Sequence, residues 1–446
     1  MAMVCAVAAS AAARAADSEP LTWPPKLPNG AGVLTFQSEQ LLQSTKTLRQ
    51  GVAIAKTPPV VDFLFYDCQK YPGKPWSNWG DGLAVDGKYY SAIGDHKSPE
   101  GNAFVYEYDV KTKTLRSVVD LRRVLKRPKG HYTPGKIHSR IDRGSDGWLY
   151  FSTHRGSTRV AFDPQAHFKG DWILRHHPQT GRTEIVAAQP LPMQCLPASV
   201  LDPDRLIFYA GTADGRRKDP PKFLAYDVKN GKVLHTGPKG FARYAIFARS
   251  TGRLYFHAGK PDKNAGVSAR TLVRFDPKRP DRVTPIDASL GLRAATVETS
   301  QRRVYTIDGD RFWSFDTRRE TARSLGPAAV GVSTYTTSLD VDEKTGRYLY
   351  YVPGAHGGAE RDGSPLVQYD LKMNRRKVIA FLHPVLKKRA GFVPIGTFST
   401  AVSPAGDMVF ITWNGCRTGP DPKRGRYPFE SCAMTVVHIP ESERRP

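Results

Sequence analysis

The sequence has 446 residues, which is enough for two average domains or for one large repeat fold. Its 66 lysines and arginines outnumber its 42 aspartates and glutamates, so the formal net charge is +24. This excess favours an anionic partner, with a basic surface that merely faces solvent as the alternative. The sequence contains no zinc-finger spacing, phosphate-binding glycine loop or nucleic-acid module, and no apolar run long enough to span a membrane, so the expected partner is an acidic polysaccharide or oligosaccharide.

The first segment of the chain is predicted to be an export signal. Residues 1–16 are small and apolar, and Ala13-Arg14-Ala15 has the small-x-small pattern of a cleavage site. We therefore expect a secreted or periplasmic protein, with a disordered leader or a misplaced start codon as alternatives. Residues 17–59 are predicted to form an arm outside the fold, with one short helix at Ser38–Thr47.

From residue 60 onward the sequence repeats. An apolar, aromatic strand recurs every 45–60 residues, and in five repeats an aromatic-Asp pair with a turn follows it. The recurring strand is centred on Tyr90, Tyr150, Ile207, Tyr255, Tyr305, Tyr350 and Phe410. A period near 50 residues with four short strands in each unit is typical of a β-propeller blade. The fold class is thus predicted to be all-β: a seven-bladed β-propeller of four-stranded antiparallel blades over residues 60–440, followed by a tail at 441–446. A pair of β-sandwiches is the alternative.

The two ends of the repeat region are expected to meet. The last unit lacks one strand, and the hydrophobic run Val60–Tyr66 precedes the first unit. Pairing of this run with Met434–Ile439 would complete the last blade and close the ring. Closure removes a free sheet edge.

The hairpin predicted between Gly135 and Gly156 places two histidines at one sheet edge. Ile137–Ile141 alternates as a strand does, Ser145-Asp146-Gly147 is a turn, and Trp148–Thr153 is a second strand. An antiparallel return brings His138 close to His154 and Arg155.

The equivalent positions of the other blades supply more candidates, because the loops before the first strand and after the second strand share one face of a propeller. Loops before first strands carry Asn78, Trp79, His138, Arg243, Tyr244, Arg293 and Tyr335, and the ends of second strands carry His96, His154, His257, His356, Trp413 and Asn414. Imidazole serves as a base near neutral pH, a tyrosine hydroxyl protonates a leaving oxygen, and arginine neutralises a carboxylate. These groups are the ones needed for β-elimination from a uronic acid. The same positions are poor in Asp and Glu, which argues against hydrolysis by two carboxylates.

The seven blades and this His/His/Tyr/Arg set resemble the propeller polysaccharide lyases, namely the ulvan lyases and, more distantly, oligogalacturonate lyase. The resemblance implies His138, His154, Tyr244 and Arg243 as catalytic residues, with Arg293 as an alternative arginine. It implies a monomeric lyase that acts on an anionic uronate-containing glycan, and it assigns the other mouth residues to substrate binding. Oligogalacturonate lyase holds a metal with a His/Gln cluster, which Gln194 with His138 and His154 would imitate; otherwise no cofactor is expected. The alternative from another class is a non-catalytic propeller that binds an acidic glycan or a protein through its basic face.

Two basic loops are expected near the mouth. Cys416 and Cys432 bracket the first, and in an exported protein a disulfide between them would make a rigid basic finger that includes the substrate-binding Arg417. The second, Lys126–Tyr132, precedes the hairpin and is predicted to form one wall of a groove. Cys68 and Cys195 are expected to be buried free thiols, with a second disulfide as the alternative.

Overall fold

The protein is described here by a computed structural model that covers residues 21–72, 76–156, 164–214, 220–258 and 270–445. The predicted signal peptide at residues 1–16 lies outside the described residues. Three strands precede the repeats: β1 (Leu34–Gln37), β2 (Ala53–Ile54) and β3 (Val60–Phe65).

Seven antiparallel sheets of four blade strands form a ring, so the fold is a seven-bladed β-propeller. Blade 1 is β4 (Leu83–Val85), β5 (Lys88–Gly94), β6 (Ala103–Asp109) and β7 (Thr114–Asp120); blade 2 is β8 (Asp142–Arg143), β9 (Leu149–Ser152), β10 (Trp172–His176) and β11 (Thr183–Ala188). Blade 3 is β12 (Gln194–Asp202), β13 (Ile207–Asp214), β14 (Phe223–Asp227) and β15 (Lys232–Gly237); blade 4 is β16 (Ile246–Ala248), β17 (Arg253–Phe256), β18 (Arg270–Phe275) and β19 (Val283–Leu290).

Blades 5 to 7 continue this order. Blade 5 is β20 (Ala294–Ala295), β21 (Arg303–Asp308), β22 (Arg311–Asp316) and β23 (Thr321–Gly326); blade 6 is β24 (Leu339–Val341), β25 (Tyr348–Tyr351), β26 (Pro365–Asp370) and β27 (Arg375–Phe381). Blade 7 contains β28 (Val393–Val402), β29 (Met408–Cys416) and β30 (Ser431–His438) together with β3. Within the described ranges, two short α-helices form, α1 (Leu121–Leu125) and α2 (Leu382–Ala390). Five 3₁₀ turns lie in the same ranges, at Pro28–Gly30, Glu39–Leu42, Pro164–Ala166, Ala359–Asp362 and Glu441–Glu443.

The repeated aromatic-Asp pair has a structural cause. In four of the five repeats the Asp is the last residue of the third strand, and in blade 4 Asp276 directly follows that strand. In each repeat its carboxylate accepts a backbone N–H bond from the following turn. The bond lengths are 3.0 Å from Thr112 to Asp109, 2.9 Å from Asn230 to Asp227 and 3.1 Å from Met373 to Asp370. Such Asx turns start the hairpin to the fourth strand, while the preceding aromatic packs into the core between blades.

Blade 7 includes a strand from before the repeats. Strand β3 runs antiparallel to β30, with Val60 opposite His438 and Phe65 opposite Ala433. The buried Asp62 on β3 accepts bonds of 2.8 Å from His438 and 2.7 Å from Lys113. Burial alone raises the pKa of Asp62, but these bonds outweigh it and lower the pKa to about 2. The N-terminal arm adds β1 to blade 7 and the parallel β2 to blade 6.

The predicted helix at Ser38–Thr47 is wrong. Only the 3₁₀ turn Glu39–Leu42 forms there, with the Ser38 side chain accepting a bond from the backbone of Gln40. The segment buries a single side chain, Leu41, so it lacks the apolar face that would stabilise a longer helix. No helix among the described residues has the length and apolar character needed to cross a bilayer.

Candidate functional site

A cluster of aromatic and cationic side chains surrounds Trp79 at one mouth of the ring. Ring centroids lie 5.4 Å from Trp79 to His96, 6.0 Å to His138 and 5.2 Å to His356. Phe398 is closer, at 4.5 Å. The structure therefore brings together side chains from blades 1, 2, 6 and 7. Trp79 and the three histidines come from loop positions at which the sequence predicts a site, and Phe398 comes from strand β28.

His138 is held in one tautomer. Its Nδ1 lies 2.8 Å from the carbonyl oxygen of Pro197, so Nδ1 donates and Nε2 remains as the basic nitrogen. Burial, together with the charges of Lys136, Arg243 and Arg293, holds the pKa of His138 well below its ordinary value of 6.5. At neutral pH His138 is thus an uncharged base beside three cations.

Arginine and tyrosine meet on the opposite side of this mouth. The Arg293 guanidinium donates a 2.8 Å bond from Nε to the hydroxyl oxygen of Tyr335 and also lies 5.9 Å from the Phe398 ring. The Tyr335 ring lies 5.3 Å from His356. Arg243 is exposed at the mouth, and neither its guanidinium nor that of Arg293 forms a salt bridge with a carboxylate in the ranges that the structure describes.

Tyr244 lies deeper and has a carboxylate partner. Its hydroxyl donates a 2.5 Å bond to Oδ2 of Asp81, and Arg140 lies 5.5 Å above its ring. Burial and the nearby Asp81 raise the pKa of Tyr244 well above its ordinary value, although Arg140 opposes the shift. The sequence analysis did not single out this acidic group, which lies two residues before the start of β4.

The free space between these side chains is small. The pocket lined by Trp79, His138, Arg243, Arg293 and Phe398, with Asp81 and Tyr244 deeper, has a volume of about 20 Å³. That volume holds about one water molecule. A ring-sized ligand therefore does not fit inside this space, which has room only for a small group between the two arginines.

The second predicted histidine lies beside the first. The ring centroids of His154 and His138 are 5.6 Å apart, and Nδ1 of His154 accepts a 3.0 Å bond from the backbone N–H of Gly156. Nε2 of His154 lies 3.4 Å from NH1 of Arg155, a group that only donates. Arg155 is 5% exposed, with NH1 3.5 Å from Sγ of Cys195. His154 thus lacks the free basic nitrogen that His138 has.

Lys136 is a mouth residue that the sequence analysis missed. It is 6% exposed, and its Nζ lies 4.0 Å from the centre of the Trp79 ring. Lys136 also pairs with His154 in an isolated β-bridge. The sequence does contain a signal for Lys136: residues two positions apart lie on the same face of a strand, so Lys136 is expected on the face that carries His138.

Four of the predicted binding residues have structural roles instead. The Asn414 side chain accepts a 2.7 Å bond from the backbone N–H of Asn78 and donates a 3.0 Å bond to the Asn78 carbonyl, which fixes blade 1 to blade 7. The Asn78 side chain donates to the carbonyls of Gly80 and Ala92. Trp413 is fully buried in the core and donates to Thr435 at 3.0 Å. Arg417 packs 5.4 Å from the Trp23 ring of the N-terminal arm, so it anchors that arm.

His257 is the fourth strand-end histidine and stands apart from the cluster. It is 7% exposed, and Nε2 has no hydrogen-bond partner among the described residues. Burial, with a smaller effect of Arg270, lowers its pKa to about 4. We find no contact of His257 with the Trp79 cluster among the described side chains.

The predicted Cys416–Cys432 disulfide is absent, since the four cysteines that the structure describes are all buried free thiols. Cys432 lies opposite Asn414, and Cys416 is two residues further along β29. Such diagonal neighbours are roughly 7–8 Å apart, beyond the reach of a disulfide. The Cys416 thiol contacts the carbonyl oxygen of Gly419 at 3.1 Å instead.

The residues considered for a metal do not fit one. Gln194 directs its amide oxygen to the hydroxyl of Thr212 at 2.7 Å, and Nδ1 of His154 is already an acceptor for Gly156. In the described ranges no group of three or more His, Cys, Asp or Glu side chains is arranged to hold a metal ion. We therefore derive no step through a metal.

The comparisons with known proteins show the fold. An oligogalacturonate lyase in complex with manganese matches with a TM-score of 0.53 at 12% identity, over 93% of this chain and 98% of that chain. An oligogalacturonate lyase from Vibrio parahaemolyticus matches with a TM-score of 0.50, also at 12% identity and with the same coverage. No family model and no curated protein matches the sequence. The more specific likeness to ulvan lyases receives no support from these comparisons.

Proposed function

We propose that this protein is a lyase that cleaves an anionic, uronate-containing glycan by β-elimination at the Trp79 mouth. The observation that carries the proposal is His138, a neutral imidazole with a fixed basic nitrogen, set among Lys136, Arg243 and Arg293. A base surrounded by cations suits a substrate that carries its own negative charge beside the proton to be removed. The fold shared with oligogalacturonate lyase is compatible with this chemistry.

The steps of the elimination are assigned to side chains of the mouth as follows. Arg243 and Arg293, which lack a described carboxylate partner, bind the uronate carboxylate and neutralise it, which makes the neighbouring C5 proton more acidic. Nε2 of His138 accepts that proton, and the electrons of the C5–H bond form the C4–C5 double bond. The C4–O bond breaks, and the leaving oxygen takes a proton from a general acid. No water is consumed.

Tyr335 suits the role of the acid better than Tyr244. The hydroxyl oxygen of Tyr335 accepts a bond from Arg293, so its own proton remains available for the leaving oxygen and the guanidinium stabilises the phenolate that results. Tyr244 donates its proton to Asp81 instead. We assign Tyr244 a positioning role at the channel.

Export is part of the proposal, because polymeric uronates occur outside the cell. It depends on the predicted signal at residues 1–16 and is tested by fractionating cells that express the full chain. Protein that stays in the cytoplasm would remove this part of the proposal and leave the chemistry untouched.

The experiment is a panel of uronate polysaccharides assayed for the ultraviolet absorbance of the conjugated C4–C5 double bond. We expect absorbance to grow with one or more members, and His138→Gln to lower the rate about 10²–10⁴-fold while the fold is kept. His257→Gln, which removes a strand-end histidine outside the cluster, is the matched control. Binding without any unsaturated product would instead identify a non-catalytic glycan-binding propeller.

A further inference from the structure

A second, larger pocket lies next to the mouth. It has a volume of about 350 Å³ and is lined by Glu100, Arg122, Arg127, Lys129, His131 and Thr133. Pockets that take small ligands begin at about this size. Unlike the narrow space beneath the Trp79 mouth, this pocket has room for a sugar ring with its substituents.

The charge of this pocket is mostly positive. Arg122, Arg127 and Lys129 face Glu100, whose carboxylate accepts a 3.2 Å bond from the backbone N–H of Gly130. The Nε atom of Arg127 is buried without a hydrogen-bond partner among the described residues. A buried guanidinium N–H without an acceptor is unfavourable, and an anionic ligand would supply the missing acceptor.

A continuous wall connects this pocket to the proposed cleavage site. The Ser98 hydroxyl donates to the carbonyl of Thr133 at 3.0 Å and accepts from the N–H of Gly135 at 2.9 Å. The N–H of His96 bonds to the carbonyl of Gly135 at 3.0 Å, and Lys136 follows at the mouth. Lys136 is three positions after Thr133, which is at most roughly 11 Å of extended chain.

We propose that this pocket is a binding subsite for a second acidic group, carboxylate or sulfate, of the same glycan chain. The proposal rests on the proposed function, since it takes the Trp79 mouth as the cleavage site. A uronate polymer repeats its negative charges along its length, so cations at two points of one wall bind two of them at once. The subsite would then make the enzyme favour long chains over short ones.

The binding test uses Arg127→Gln/Lys129→Gln with fluorescently labelled dextran sulfate, a polyanion that has no uronate to eliminate. The matched control is Lys229→Gln/Lys232→Gln, which removes two exposed charges from the turn between β14 and β15 at the outer rim. We expect at least about a fivefold loss of affinity in the pocket variant and less than about twofold in the control. Equal losses in both variants would overturn the subsite.

The activity test compares a polymeric uronate with its shortest cleaved oligomer. In the pocket variant we expect KM for the polymer to rise about fivefold while kcat and the oligomer kinetics stay as in the wild type. An active enzyme whose polymer KM is unchanged would refute the subsite and leave the lyase standing. An inactive wild type that still loses dextran sulfate affinity selectively would refute the lyase and support the pocket.

Arg127 also lies 6.0 Å from the Trp172 ring, so its substitution risks the local fold. Lys129→Gln alone avoids this contact because Lys129 is exposed. We expect the single variant to give about half of the double variant's effect on a logarithmic scale, with an unchanged melting temperature. No effect from Lys129→Gln, with the double variant unfolded, would count against the subsite.

Discussion

The hydroxyl of Tyr244 and the carboxylate of Asp81 join opposite sides of the propeller across its central channel at 2.5 Å. Asp81 precedes the inner strand of blade 1 and Tyr244 that of blade 4, so this bond links blades that share no sheet edge. Arg140 of blade 2 approaches the same tyrosine ring at 5.5 Å. The contact makes Tyr244 part of the channel structure, and several predictions depend on it.

The energetic coupling of this pair is measurable by a double-mutant cycle. We expect Asp81→Ala and Tyr244→Phe to show a coupling of about 1–2 kcal/mol in the free energy of unfolding, since each change leaves the partner's polar group without this bond. Urea unfolding of the two single variants and the double variant gives the value. Tyr244→Phe combined with Asp109→Asn, a distant turn residue, should be additive within about 0.5 kcal/mol. Additivity in both cycles would show that the short bond contributes nothing.

The choice of general acid is decided by comparing two tyrosines. We expect Tyr335→Phe to lower kcat about 10²–10⁴-fold because it removes the proton delivered to the leaving oxygen. Tyr244→Phe should cost less than about tenfold because its proton is engaged by Asp81. Initial rates by ultraviolet absorbance measure both, and circular dichroism checks the fold. The reverse order of effects would return the acid role to Tyr244.

The pH dependence of the rate reports on His138. Because the pKa of free-enzyme His138 lies well below 6.5, the acid limb of kcat/KM should fall below that pH. Lys136 is one of the charges that lower this pKa, so Lys136→Met should move the acid limb to higher pH. The measurement is a pH profile of kcat/KM for the wild type and for Lys136→Met. If the acid limb stays in place or moves to lower pH, it does not report the protonation of His138.

Acid stability should depend on His257. Its pKa is about 4 when folded and near 6.5 when unfolded, so the unfolded chain binds one more proton between these values. Stability therefore falls with falling pH in this window, by about 1.4 kcal/mol per pH unit at most. His257→Phe should make the slope shallower by this amount in chemical unfolding at a series of pH values, while the other buried histidines, such as His138, keep their own contributions. An unchanged slope would mean that His257 is protonated in the fold.

Asp340 should act in the opposite sense. Burial raises its pKa to about 7, so the folded state holds a proton that the unfolded state releases above about pH 4. Its contribution to stability is present below that range and is lost as pH rises through 7. Asp340→Asn should therefore make the loss of stability on acidification steeper. The same unfolding series at different pH values measures this effect. If the free energy of unfolding falls less steeply with falling pH in Asp340→Asn than in the wild type, the pKa of Asp340 is not raised in the fold.

The buried carboxylate of Asp62, on strand β3 of blade 7, gives a further prediction. Asp62→Asn removes the negative partner of His438 and Lys113, and we expect a loss of about 2 kcal/mol at neutral pH, a moderate value because both cations are one-third exposed. The pKa of Asp62 is about 2, so the contribution disappears as pH falls through that value. Wild type and variant should therefore converge in stability near pH 2. A constant difference at all pH values would show that charge plays no part.

The sequence by itself determined the architecture. The aromatic strand and the aromatic-Asp turn are local features, set by side-chain burial and by an Asx turn, and their regular spacing reveals seven blades without any knowledge of distant contacts. It also placed His138, His154, Arg243, Arg293, Tyr335 and His356 at equivalent loop positions, and the ring brings these loops to one mouth.

Only the tertiary structure decided what each of these side chains does. Asp81 and Tyr244 are 163 residues apart, and Pro197 fixes the tautomer of His138 from 59 residues away, so no local pattern announces either bond. Trp413 and Arg417 occupy predicted mouth positions in the sequence, but the register of β29 and the packing of the N-terminal arm turn them to the core and to Trp23. Closing the ring of a propeller brings the loops of distant blades together at one mouth. Which side chains contact each other there depends on tertiary packing, and local sequence patterns do not predict it.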